Sequence, residues 1–134
     1  MIQYRKGYKY QLNADYQEYV GIKAPRGGIN TQWLSLSETG WLTMRKGYAW
    51  DGPSGLTIDT KDSLRGSLVH DALYQLMRLG LLSQSYRDEA DALLKKLCIE
   101  DGMNSVRAQL WYIGVRMFAE PYARYSAEEV LTAP

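Results

Sequence analysis

The chain has 134 residues, of which 46% are apolar and 23% charged. That is ordinary usage for one folded domain with a real core, and it excludes an intrinsically disordered protein. Sixteen basic against fifteen acidic residues leave a net charge of +1, so no global field holds a polyanion and nucleic acid is not an expected partner.

The first part, residues 1–59, holds most of the glycines and short aromatic and β-branched tracts: Tyr8 to Leu12, Tyr16 to Ile22, Thr31 to Leu36 and Gly40 to Arg45. Turn-forming clusters separate them at Asn13-Ala14-Asp15, Pro25-Arg26-Gly27-Gly28 and Ser37-Glu38-Thr39-Gly40. These features predict a small antiparallel β-sheet whose clearest hairpin is Leu36 to Trp41. Arg5, Lys6, Lys9, Lys23, Arg26, Arg45 and Lys46 read either as a local basic face or as solvated strand edges.

The period then changes from two to about 3.6. In residues 60–134, Asp62-Ser63 can cap a first helix that carries Leu64, Ser67, Leu68, Asp71, Tyr74 and Leu76 to Met77 and ends at Arg78-Leu79-Gly80. Ser83 or Ser85 can cap a second, with Ala90, Leu93, Leu94 and Leu97 on one face and a stop near Asp101-Gly102. Asn104-Ser105 can cap a third, carrying Val106, Leu110, Ile113 and Met117 and broken before Pro121. The expectation is a single α+β domain, 1–134: the sheet first, then about three helices packed as antiparallel neighbours. The second helix then returns along the first and brings Asp88 or Asp91 level with His70.

Cys98 is the only cysteine, so no intrachain disulfide forms, and its setting among leucines reads as packing rather than as a reactive thiol. No apolar run approaches the roughly 20 residues of a bilayer span. The opening residues carry no signal-peptide pattern. Cytoplasmic synthesis in a bacterial host is expected, with association to a virion left open.

His70 is the only histidine, which leaves multi-histidine zinc sites and HExxH proteases short of ligands. No GxSxG elbow supports a serine triad. A histidine followed directly by an aspartate suits another division of labour, because helix neighbours point about 100° apart. His70 can act as general base on a water while Asp71 ligates a hard cation beside it. Tyr74, one turn on and on the same face, can steady the acidic partner. Asp91 can fix the histidine tautomer and stabilise the imidazolium.

Such a cation takes six to eight oxygens, more than one aspartate offers. The loop Trp50-Asp51-Gly52-Pro53-Ser54-Gly55 has the glycines that let carbonyls converge on an ion. Asp51, Asp59 and Asp62 are further side-chain candidates, although Asp59 and Asp62 read equally as helix-start residues. Arg87, four residues before Asp91, can instead form an intrahelical ion pair that competes with His70. Each feature also has a plainer reading: the loop as a turn, the His-Asp pair as a buried polar anchor, and Trp111, Tyr112, Phe118 and Tyr122 as packing.

The pattern of Trp50 to Gly55, then His70-Asp71-Ala72-Leu73-Tyr74, then Ala90-Asp91 resembles the phospholipase A2 superfamily, with its glycine-rich calcium loop, HDxxY helix and later aspartate on a facing helix. The disulfide-free form used by some virus capsids is the most similar. The resemblance implies His70 as base, Asp71 and the carbonyls of Trp50, Gly52 and Gly55 as calcium ligands, and Tyr74 with Asp91 as support for the histidine. This chain differs in having no cysteines beside the His-Asp pair and in its β-rich N-terminal part.

A second resemblance covers nearly the whole chain. The runs from Leu42 to Gly55, Ser67 to Leu76 and Arg87 to Asp91 are similar to a family of small uncharacterised bacterial and tailed-phage proteins, which implies a phage or prophage source. Together these readings predict a calcium-assisted hydrolase of phospholipid esters that works at a lipid surface. The alternatives are a non-enzymatic virion, assembly or host-interaction protein, and a metal-dependent cell-wall hydrolase.

Overall fold

The computed structural model describes residues 4–5, 10–50 and 61–125. Alternation sets the sheets. In β5 (Leu34–Leu36) and β6 (Trp41–Met44), Leu34, Leu36, Leu42 and Met44 point inward while Ser35, Trp41 and Thr43 are more open. Leu34 sits opposite Met44 and Leu36 opposite Leu42, so the inward residues form cross-strand pairs on one face. The expected hairpin is present, closed by Ser37, whose hydroxyl accepts from the Trp41 amide at 3.0 Å.

Two small antiparallel sheets form, rather than the one expected. One has the order β3-β6-β5-β4, with β3 at Tyr16–Tyr19 and β4 at Ile29–Asn30. The other is β1-β2-β7, joining β1 (Tyr4–Arg5), β2 (Tyr10–Leu12) and β7 (Ala49–Trp50). Three of these strands, β1, β4 and β7, are two residues long, too short for a period to register in sequence.

The helices follow. α1 (Lys61–Arg78) already includes Asp62 and Ser63 in its first turn, so the cap expected at those residues is not there. It ends as anticipated: Gly80, at φ +76°, lets the Leu81 amide bond back to the Leu76 carbonyl at 3.0 Å and that of Gly80 to Met77 at 3.0 Å, the left-handed stop that glycine adopts without a Cβ penalty. Ser83 caps a short 3-10 turn at Gln84–Tyr86, which runs into α2 (Arg87–Glu100). Asn104 caps α3 (Ser105–Phe118), accepting from the amides of Val106 and Arg107. A single turn, α4 (Glu120–Ala123), follows Ala119, with Pro121 in its first turn, where its missing amide costs nothing.

α1 is buried nearly all round, from Gly66 to His70 and from Ala72 to Met77, because it packs against α2, α4 and β7. Leu12, Leu36, Trp50, Leu68, Leu73, Leu94 and Val115 belong to one apolar cluster spanning strands and helices. Gly66 faces the side chain of Cys98, His70 faces Asp91, and Tyr74 faces Arg87. Rising numbers meet falling ones, so α2 returns antiparallel to α1 as expected. For α3 the apolar series is on the other side: the buried residues are Ala108, Trp111 and Val115, whereas Val106, Leu110, Ile113 and Met117 are exposed. Among the described residues, no helix is long and apolar enough to cross a membrane.

Candidate active site

Tyr74 follows His70 by one helical turn, which stacks the rings with centroids 4.2 Å apart. Both point at α2, where Asp91 is wholly buried. His70 Nε2 is 2.7 Å from Asp91 Oδ1, and the Tyr74 hydroxyl donates to the same oxygen at 2.6 Å. The other carboxylate oxygen, Oδ2, accepts from Arg116 Nη1 of α3 at 2.8 Å. Of the two aspartates weighed for this position, Asp88 lies outward, its side chain 70% exposed and paired with Arg116 at 3.2 Å.

Arg87 does not take Asp91 away from His70. Its Nε is 4.0 Å from Asp91 Oδ2 and donates instead to the Tyr74 oxygen at 3.0 Å. Its Nη2 donates to the carbonyls of Val115 and Arg116 at 2.9 and 2.7 Å. The guanidinium therefore closes the end of α3 and orients Tyr74, whose hydroxyl proton is left to face Asp91.

Charge follows from these contacts. Burial by itself raises the Asp91 carboxyl, but hydrogen bonds from His70 and Tyr74, and then Arg116, outweigh it and hold Asp91 below its ordinary value. Burial lowers His70, and the Arg87 charge adds to this, against the opposing pull of Asp91. Tyr74 is pushed up by burial and by its bond to Asp91. An ionised carboxylate only accepts hydrogen bonds, so a neutral His70 carries its proton on Nε2. The lone pair is then on Nδ1.

Nδ1 is buried and has no hydrogen-bond partner among the described residues. An imidazole held at one nitrogen by a carboxylate, with a basic second nitrogen, is the arrangement that general-base chemistry requires.

Trp50 closes this region from the strand side. Its ring is buried, and its Nε1 donates at 3.0 Å to Ser67 Oγ, one turn before His70 on α1. The end of β7 is thereby pinned beside the histidine. Asp51, Gly52, Gly55 and Asp59 lie outside the described residues. Asp71 is partly exposed on the neighbouring face of α1. Asp62 lies 3.6 Å from Arg107 Nη1, tying the start of α1 to α3. Among the described residues no group of three or more His, Cys, Asp or Glu side chains is placed to hold a metal. Apart from Trp50, Asp62 and Asp71, the groups that the sequence offers a calcium ion here lie outside the described residues.

Sequence reasoning missed Arg116 and Ser67. Arg116 is 25 positions from Asp91, and no local spacing marks that pairing. Ser67 read only as one of the helical series. Burial pushes the Cys98 thiol up to about 12, in keeping with an inert packed side chain.

No protein-family model, curated protein or solved structure matches this chain.

Proposed function

We propose that this protein is a hydrolase of phospholipid acyl esters in which His70 is the general base. The observation that carries the reading is the asymmetry of the imidazole: Nε2 is held by Asp91 while the buried Nδ1 has no partner among the described residues. A buried polar atom left without a partner costs about 1 to 3 kcal/mol, and such exceptions recur where a site receives a water or a reactant.

In the proposed reaction Nδ1 takes a proton from water as its oxygen attacks the ester carbonyl carbon. The imidazolium so formed is stabilised through Nε2–H by Asp91, which Tyr74 and Arg116 hold in place. His70 then returns the proton to the leaving alkoxide as the acyl C–O bond breaks, releasing fatty acid and lysophospholipid. Calcium, if held by Asp71 and the carbonyls of Trp50, Gly52 and Gly55 with Asp51 nearby, would polarise the ester carbonyl.

The test is hydrolysis of phosphatidylcholine in mixed micelles with and without calcium. Calcium-dependent turnover that His70→Ala abolishes, with the variant still folded by circular dichroism, is the expected result. Turnover indifferent to a chelator would remove the metal from the proposal, and no turnover under any condition would remove the enzyme.

One observation favours a second reading, a non-enzymatic phage component of the virion, its assembly or host contact. Asp91 is bound by groups from both α1 and α3, so the network also works as a polar anchor fastening three helices. On that reading His70→Ala lowers the melting temperature and partner binding, and there is no turnover to lose.

A further inference from the structure

We propose that the outer face of α3 pairs with the same face of a second copy of this chain. α3 has two apolar sides. Ala108, Trp111 and Val115 are buried in the core. On the side roughly opposite, by the 100° turn per residue, Val106, Leu110, Ile113 and Met117 are 68%, 62%, 42% and 66% exposed. A helix with only solvent on that side would carry polar residues there.

The spacing and the area point to the occupant. Steps of four, three and four residues are those of a helix-pairing seam. The series also reads the same from both ends, so a two-fold axis between antiparallel copies sets Val106 against Met117 and Leu110 against Ile113. A face that meets itself in this way is what a symmetric dimer needs.

The four side chains amount to on the order of 400 Å² of apolar surface. That is about half of the roughly 800 Å² per partner of a standard interface, the size of a weak, concentration-dependent contact.

One further feature argues against an anionic surface as the occupant. The arginines flanking the stripe are engaged within the chain: Arg107 with Asp62, and Arg116 with Asp91 and Asp88.

The test is sedimentation equilibrium of the full chain from micromolar to submillimolar concentration, with Leu110→Glu and Ile113→Glu alongside and thermal melts as the control for folding. The expected result is a concentration-dependent dimer in the wild type, and a monomer in each variant, whose melting at low concentration is unchanged. A wild type that is monomeric throughout, or a dimer that survives both substitutions, overturns the proposal. A monomer that binds phosphatidylcholine vesicles through these residues also overturns it and assigns the face to lipid.

Discussion

His70 and Asp91 meet at 2.7 Å across the antiparallel pair α1 and α2 with both side chains buried, and Tyr74 donates to the same carboxylate oxygen. Two groups of α1 therefore depend on one carboxylate oxygen of α2, and the second oxygen joins it to Arg116 on α3.

Replacing the carboxylate by an amide tests that dependence. Asp91→Asn keeps the size but weakens the charge-assisted bonds from His70, Tyr74 and Arg116; because Arg116 is partly exposed and keeps Asp88, the expected cost is about 1 to 3 kcal/mol of stability. Turnover should fall by about 10² to 10⁴-fold. Urea unfolding and micelle assays on one preparation give both figures.

Stability should fall with acid in two stages. His70 is lowered in the folded protein, so the unfolded chain binds the proton first; stability is complete above about pH 6.5, the ordinary histidine value, and is lost as pH falls from there toward the folded value. Asp91 is lowered as well, and its contribution is lost only below about pH 3.9, as pH falls toward its own folded value. Thermal melts against pH should show the first stage in the wild type and lose it in His70→Asn, because His70 is the only histidine.

Gly66 controls how closely α1 and α2 approach. A Cβ there would lie 3.0 Å from Cys98 Sγ and 3.2 Å from the Leu94 carbonyl oxygen. Gly66→Ala gains about 1 kcal/mol of helix propensity, yet overpacking of this kind costs about 1 to 3 kcal/mol. The net expectation is a lower melting temperature, with lower activity because the separated helices are those that carry His70 and Asp91.

Trp50→Phe removes the indole donor to Ser67 and leaves a void in the core, and should cost about 1 kcal/mol for the bond with a further cavity cost. If calcium sits beside Asp71, loosening the end of β7 also weakens it. Isothermal titration with calcium should then show a weaker Kd in Trp50→Phe than in the wild type, and equal affinities would separate the strand from the metal.

Much of this architecture was legible in the residues because the relevant physics is local. Glycines at 80 and 102 mark helix stops, Asn104 marks a start, and the four-residue step from His70 to Tyr74 puts both on one face whatever surrounds them. The antiparallel return of α2 was legible too, since a short connection leaves few alternatives. The two-residue strands were not, because they exist only through their pairing with distant partners.

What required the tertiary structure were the choices between faces. α3 has two apolar sides, and periodicity alone picked Val106, Leu110, Ile113 and Met117, whereas packing buried Ala108, Trp111 and Val115. The expected return of α2 allowed either Asp88 or Asp91 to come level with His70, and only the α1–α2 contact places one inside and one out. Arg116 reached Asp91 only because α3 folds back over α2. Local spacing sets which residues share a face, but which face is buried and which distant charge arrives there depend on contacts between elements far apart in the chain.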